Sequence, residues 1–175
     1  MNFLDAFWPS FWSAIAAGFS LTLLFFLIRE KVYGKTDISG KWHFNMTTEK
    51  TAYNPYKNME LRYIAILWLE GNEIHGTVEK VHEFSSTTNE AGRSYVGENR
   101  SRGVVTGVYE KKYFGKDKIH IHISEQGKGR ESTNFFTLRF SKCINFRVEE
   151  IKLSGTFSSF VADQEGSSSW QRKCF

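Results

Sequence analysis

The sequence predicts a mainly β protein in which a single N-terminal transmembrane helix precedes a small closed antiparallel β-barrel. About eight strands in meander order are expected. Three observations support this fold class: an opening stretch without charges, a period-two alternation of side chains along the rest of the chain, and a glycine that recurs in one strand context. A β-sandwich is the alternative architecture.

The opening stretch predicts a membrane-spanning helix. The 23 residues Ala6–Ile28 contain no Asp, Glu, Lys, Arg or His, and as a helix they would span about 34 Å, enough for a bilayer core. A cleaved signal peptide is disfavoured because the start carries Asp5 and no basic residue. We therefore expect a retained anchor over residues 1–31 and a soluble domain over residues 32–175.

The flanking charges predict the orientation of this anchor. No basic residue precedes the stretch, and those that follow it are Arg29, Lys31, Lys35 and Lys41. By the positive-inside bias, the N-terminus lies outside and the domain lies in the cytosol. The two cysteines, Cys143 and Cys174, are too few for a disulfide framework and suit a reducing compartment.

Small residues recur every fourth position in the anchor and so share one face of the helix. They are Ser10, Ala14, Gly18 and Thr22. Small side chains let a neighbouring helix approach closely, which is typical of helix–helix contacts in membranes. This stripe predicts self-association of the chain into a homo-oligomer.

Alternating polar and apolar residues predict strands throughout the soluble domain. Ile119, Ile121 and Ile123 alternate with polar residues, for example, and Gly71-Asn72 is typical of a hairpin turn. The predicted strands cover residues 41–48, 60–70, 73–84, 103–113, 118–124, 133–142 and 150–161, with a possible short last strand at 169–174.

A weak internal recurrence predicts that these strands curl into a barrel. Gly40, Gly76, Gly107 and Gly155 each have a β-forming residue two positions before and a large β-forming residue two positions after. Glycine within a strand marks a bulge, a bend or a close backbone approach, and repeated bends are what a small closed sheet needs. Trp42, beside the first bend, is expected to plug the base of the barrel.

Three polar stretches separate predicted strands: 48–58, 85–103 and 124–133. The middle one contains Arg93, Arg100 and Arg102 and is long for a hairpin connection. Long connections in compact domains are often functional. We expect this stretch to fold over a barrel mouth.

The sequence contains no pattern that predicts an enzyme. A nucleophile elbow, a P-loop and a dinucleotide fingerprint are all missing from the 175 residues. His120 and His122 share a strand face, but no cysteine or carboxylate cluster accompanies them, so neither a metal nor another cofactor is expected.

A surplus of cationic and aromatic residues in a barrel indicates an anionic ligand with flat rings. The chain after the uncharged stretch carries 23 basic and 18 acidic side chains. Guanidinium groups bind phosphates, and aromatic faces stack on bases. The candidate ligand-binding residues are Arg62, Tyr63, Trp68, Arg102, Thr106, Tyr109 and Arg139. An inward Arg139 would require an anionic partner, and an outward one would lie in water. The basic residues form no clustered stripe, which argues against a nucleic acid polymer.

The start Gly40-Lys41-Trp42, followed by a meander of strands, resembles the opening of lipocalin-type barrels. The whole layout is similar to the bacterial anti-phage effectors of cyclic-oligonucleotide signalling (CBASS), which join an N-terminal membrane segment to a minimal β-barrel receptor. That resemblance implies a bacterial inner-membrane protein whose barrel binds a cyclic nucleotide made by a partner nucleotidyltransferase. Ligand binding would then drive oligomerisation, and the clustered helices would disrupt the membrane.

Two other functions remain open from the residues alone. One is an anchored lipocalin-like module that carries a lipid or another small molecule without acting on the membrane. The other is an anchored assembly scaffold without a ligand.

Overall fold

The computed structural model describes residues 3–28, 36–85, 92–112, 115–127, 131–142 and 151–175. The chain divides into two compact units, Met1–Thr36 and Asp37–Phe175, so the division lies five residues after the expected boundary. Arg29, Lys31, Lys35 and Cys143, which contribute to the predicted orientation and redox state, lie outside the described residues.

Helix α1 spans Phe3–Leu27. Its segment Phe7–Leu27 is long and apolar enough to cross a membrane, with a mean hydropathy of 1.8. The side chains of this segment are exposed in the structure, including large ones such as Phe19. A helix whose exposed side chains are apolar on all sides is suited to a lipid surrounding.

The second unit is a closed antiparallel β-barrel of eight strands with one short extra strand, so the predicted fold class is confirmed. The strands are β1 (Gly40–Lys50), β2 (Glu60–Glu70), β3 (Glu73–Phe84), β4 (Arg93–Ser94), β5 (Arg102–Glu110), β6 (Lys118–Gln126), β7 (Glu131–Lys142), β8 (Ile151–Ser159) and β9 (Gln164–Gln171).

The barrel closes because its last strand pairs with its first. Each of the eight barrel strands pairs with the next in chain order, and β9 pairs with β1. The extra strand, β4, adds two residues to the end of β3. This closure leaves no place for the β-sandwich alternative.

Most strand ends lie within two residues of the prediction, and β2 and β3 agree to the residue. Two strands differ more: β5 ends at Glu110 rather than 113, and β9 covers Gln164–Gln171 rather than 169–174. The predicted ends at 113 and 150 lie outside the described residues.

The recurring glycine pattern corresponds to the interior of the barrel. The β-forming residues that flank the four glycines are all buried: Ile38, Trp42, Ile74, Val78, Val105, Tyr109, Leu153 and Phe157. The glycines allow neighbouring strands to approach closely. A β-carbon on Gly155 would lie 1.9 Å from the carbonyl oxygen of Thr137, and one on Gly76 would lie 2.4 Å from that of Ile66.

One end of the barrel is filled by a packed apolar core. Phe44 stacks on Trp170 with ring centroids 3.9 Å apart and on Tyr63 at 4.9 Å. Trp42 is fully buried, as expected of a plug, and its Nε1 donates to the Ile38 carbonyl at 2.7 Å. The chain enters the barrel at this end, which we call the closed end. Its described connections are residues 36–39, 71–72, 111–112 and 115–117, and the chain leaves β9 here at Arg172.

Candidate ligand-binding site

The inward-facing positions change from apolar to polar towards the other end of the barrel, which we call the mouth. Along β6, the buried run Ile119, Ile121 and Ile123 continues to Glu125. Along β9, Trp170 is followed towards the mouth by Ser168 and Gln164, both buried. Polar groups buried in this way cost stability unless they find partners.

The polar positions surround a cavity of about 490 Å³ at the mouth. Its charged and aromatic lining includes Tyr63, Lys80, Glu83, Arg93, Tyr95 and Glu125. A volume of this size is within the range that small-ligand sites occupy. An eight-stranded barrel can either fill its interior with side chains or hold one small ligand; this barrel is filled at one end and open at the other.

A charged network crosses the cavity floor. Glu125 is only 5% exposed; its carboxylate accepts a hydrogen bond from the Tyr63 hydroxyl at 3.0 Å and lies 3.9 Å from the Lys80 Nζ. The same ammonium lies 3.4 Å from Glu83. Lys80 is therefore shared by two carboxylates, which stabilises charges that would be too costly to bury alone.

A β-bulge in β3 places both Lys80 and Glu83 on the inner face. The pairing with β2 shifts between Arg62 and Tyr63, so that Tyr63 faces Lys80 while Leu61 faces Glu83. An extra residue in one strand reverses the side on which the following residues point. Without the bulge, the two charges could not both face the cavity.

The bulged part of β3 also holds residues 92–101, which we call the mouth loop, in place. The backbone N–H of Tyr95 donates to the Val81 carbonyl at 2.9 Å, and that of Lys80 donates to the Ser101 carbonyl at 3.0 Å. The Tyr95 hydroxyl donates to Glu83 at 2.8 Å. Residues 92–101, part of the stretch expected to fold over a mouth, are thus hydrogen-bonded across the wall of the cavity.

Both tyrosines of this network hold their protons more tightly than an ordinary tyrosine. Burial, the hydrogen bond to Glu83 and the charge of Glu83 raise the pKa of Tyr95 to about 12. Burial and the nearby Glu125 raise the pKa of Tyr63 well above its usual value. Both side chains therefore act as neutral donors to carboxylates at physiological pH.

Arg93 is the cation at the mouth that is placed to bind an anion. Its side chain is exposed, and its Cζ lies 5.6 Å from the centre of the Tyr95 ring. Among the described residues it has no carboxylate partner within 4.0 Å, whereas Arg100 is bound to Glu79 at 3.1 Å. A guanidinium above an aromatic ring offers both charge and a flat surface to a ligand.

Only one of the sequence-predicted ligand-binding residues, Tyr63, lines this cavity. Tyr109 is buried at the closed end, where its hydroxyl donates to Asp117 at 2.9 Å. Trp68, Thr106 and Arg139 are exposed on outward positions of their strands.

The two remaining arginines of that set bind carboxylates outside the barrel. Arg62 contacts Glu60 at 2.7 Å, with its guanidinium over the rings of Phe84 and Phe175. Arg102 contacts Glu79 at 3.4 Å. The seven predicted residues therefore do not form one site, and Arg139 takes the outward alternative.

The reason for this dispersal is the period-two alternation of the strands. Neighbouring residues such as Arg62 and Tyr63 must point to opposite sides of the sheet. Arg102 and Thr106 point to the outer side of β5, whereas Tyr109 points to the inner side. Residues chosen by chemical type alone could not all face one interior.

The same alternation could have identified the residues that the sequence reasoning missed. Extending the isoleucine positions of β6 by two residues reaches Glu125, and extending Ile74, Gly76 and Val78 of β3 reaches Lys80. A charge that continues an apolar inward pattern indicates a polar interior. Glu83 and Tyr95 could not be found this way, because their positions depend on the bulge and on the loop contact.

The histidines and the anchor stripe lie away from the cavity. His120 and His122 are on the outer face, where each lies 3.4 Å from a threonine hydroxyl. Within the described part of the chain, no three His, Cys, Asp or Glu residues come together as a metal site. In α1, Ser10, Ala14, Gly18 and Thr22 are exposed, and the Thr22 hydroxyl donates to the Gly18 carbonyl at 2.8 Å.

No protein-family model, no curated protein and no solved structure matches this chain.

Proposed function

We propose that this protein is a membrane-anchored receptor whose barrel binds a small polar ligand in the mouth cavity. The observation that carries the proposal is the division of the interior into a solid apolar end and a cavity of about 490 Å³ with charges in its wall. Burying Glu125 and Lys80 is costly for a barrel that only needs to fold. A ligand site gives a reason for keeping them.

The chemistry of the cavity favours a ligand with both an anionic group and flat rings. Arg93 is available for a phosphate, and the Tyr95 ring lies beside it. Two cations and two carboxylates in the lining balance each other, so the site suits a ligand of low net charge rather than a long polyanion. A cyclic nucleotide supplied by a partner nucleotidyltransferase meets these requirements.

The proposed action is that of an anti-phage effector of the CBASS type in a bacterial inner membrane. The apolar helix anchors the chain with its N-terminus outside and its barrel in the cytosol. A ligand that binds the assembled form more tightly shifts the chain towards oligomers. Restriction to a membrane raises the effective concentration of partners, and the assembled helices disrupt the bilayer.

The test of the receptor proposal uses the full-length chain in detergent and calorimetric titration with cyclic dinucleotides. Changing Arg93→Gln should weaken binding about 10- to 100-fold, because a charge-assisted hydrogen bond contributes about 1.5–3 kcal/mol. The matched control is Arg139→Gln, which removes the same charge from the outer face and should leave binding unchanged.

Two results would contradict the proposal. If Arg139→Gln weakens binding as much as Arg93→Gln does, the ligand binds the outside of the barrel through its general charge. If the chain instead binds fatty acids and no nucleotide, the protein is a carrier of apolar molecules.

A further inference from the structure

Charges are unevenly distributed between the two ends of the barrel. The described side chains at the closed end include nine basic and five acidic ones. The basic ones are Lys41, Lys111, Lys112, Lys116, Lys118, Arg139, Lys152, Arg172 and Lys173; the acidic ones are Asp37, Glu70, Glu73, Glu110 and Asp117. At the mouth the balance is reversed, with acidic side chains in excess.

The mouth excess is found in the connections between the strands and at their ends. The acidic side chains described there are Glu49, Glu60, Glu79, Glu83, Glu98, Glu125, Glu131, Asp163 and Glu165, and the basic ones are Lys50, Lys57, Arg62, Lys80, Arg93, Arg100 and Arg102. Among the described side chains, the closed end is therefore cationic, whereas the mouth has two more acidic than basic groups. Such a polarity orients a protein in front of a charged surface.

The closed end is also where the chain enters the barrel, and contacts of Arg172 hold the entry segment against the end of β9. The Arg172 guanidinium lies 4.1 Å from the ring centre of the plug Trp42 and donates to the Lys41 carbonyl at 3.2 Å and the Asp37 carbonyl at 3.4 Å. Arg172 therefore joins the start of the C-terminal tail to the entry of the barrel at the closed end. Trp42 and Trp170 fill the barrel interior behind it, where both are fully buried.

The place of the closed end in the chain indicates which kind of surface it binds. Leu27 ends the membrane-type helix and Gly40 begins β1, so the connection can span at most about 45 Å at roughly 3.5 Å per residue. A basic surface on so short a tether is kept near the headgroups at high effective concentration. Each basic residue close to an anionic leaflet contributes about 1 kcal/mol.

We propose that the closed end of the barrel is a docking surface for anionic phospholipid headgroups. This inference rests on the proposed membrane anchor. Docking through the closed end leaves the mouth directed at solvent, where a soluble ligand can reach it. It also limits how the barrel can rotate on its tether, so neighbouring barrels present their sides to one another.

The experiment places the full-length chain in nanodiscs of phosphatidylcholine alone or with a large fraction of phosphatidylglycerol. Lysine acylation is followed by mass spectrometry. With anionic lipid, Lys112 and Lys118 at the closed end should react severalfold more slowly, while Lys57 at the mouth should react equally in both lipids. The protection should disappear at high salt, which screens such contacts.

Paired charge-reversal variants locate the surface. Lys116→Glu with Lys173→Glu should abolish the protection of Lys112, whereas Lys50→Glu with Lys57→Glu makes the same change in net charge at the mouth and should preserve it. The proposal would be overturned if both double variants lost the protection of Lys112 equally. Equal acylation of Lys112 in the two kinds of nanodisc would overturn it as well. So would protection of Lys112 by added RNA but not by phosphatidylglycerol, because the surface would then bind nucleic acid.

Failure of the docking proposal can be separated from failure of the anchor. Co-purification of the chain with the nanodisc reports the anchor independently of lysine acylation. A chain that co-purifies but shows no protection keeps its anchor and lacks the docking surface.

Discussion

Tyr95 joins the mouth loop to the wall of the barrel through both its backbone and its side chain. Its N–H binds the bulged strand, and its hydroxyl binds Glu83 at 2.8 Å. The phenol is neutral when it makes this bond. The stability that it contributes should therefore depend on pH.

Changing Tyr95→Phe should remove a pH-dependent part of the stability. The folded state raises the pKa of Tyr95 from the ordinary value of 10.0 to about 12, so it holds the proton more tightly than the unfolded chain does. The contribution is complete below pH 10 and is lost as the pH rises towards 12. Denaturant unfolding of both proteins should show a difference at pH 7 that shrinks above pH 10.

Tyr53→Phe provides the control for this measurement, since Tyr53 is more than half exposed on another mouth loop. That variant should follow the native chain at every pH. A Tyr95→Phe difference that stays constant above pH 10 would mean that the phenol does not hold its proton through Glu83.

At the scale of single residues, side-chain type predicted less than side-chain position. Arg139 was a candidate because it lies between apolar neighbours, but the alternation of β7 directs it outward. Lys80 and Glu125 were not predicted, although they continue inward-facing patterns in the sequence. Whether a residue faces the interior of a barrel depends first on its position in the strand and only then on its chemical type.

At the scale of elements, β2 and β3 were predicted well and β9 was not. β2 matches to the residue because both of its faces carry apolar residues, and β3 matches because it follows β2 across the Gly71-Asn72 turn. More than half of β9 was missed because its first inward positions are Gln164, Gly166 and Ser168. Their partners lie far away in sequence: Ser168 donates to the Asn45 carbonyl at 2.7 Å, and Gln164 accepts from Thr48 at 3.0 Å.

The close approach of β7 and β8 can be tested by changing Gly155→Ala. The new β-carbon would lie 1.9 Å from the Thr137 carbonyl oxygen, so one of the strands must move. Overpacking of this kind costs about 1–3 kcal/mol in the free energy of unfolding, and sometimes more. Denaturant unfolding followed by the fluorescence of the buried tryptophans measures the loss.

Ser154→Ala is the matched control, because the neighbouring side chain points outward and is exposed. An exposed substitution of this type should change the free energy of unfolding by no more than about 0.5 kcal/mol. Equal stability of the two variants would show that β7 and β8 do not approach as closely as the backbone indicates.

At the scale of the whole molecule, two sequence features predicted the architecture. The uncharged stretch gave a helix that meets the length and hydropathy required for a membrane span, and the glycine pattern marked strands that curl into a closed barrel. The position of the cavity could not be predicted, since it depends on how eight strands are staggered. The described connections at 51–59, 92–101 and 160–163 meet at one mouth only after the barrel has closed.

The proposed coupling between ligand and membrane predicts that Gly18→Leu separates binding from assembly. A β-carbon at Gly18 meets no atom within 4 Å, so the isolated helix accepts the larger side chain. A leucine on the small-residue stripe would instead keep a neighbouring helix at a distance. Crosslinking in membranes with and without cyclic dinucleotide should show ligand-dependent oligomers for the native chain and none for the variant, while calorimetry finds unchanged binding.

Phe19→Leu is the control, because it alters an exposed side chain on an adjoining face of the helix, and this variant should still assemble. Oligomers that persist in Gly18→Leu would show that the helices make contact at another face.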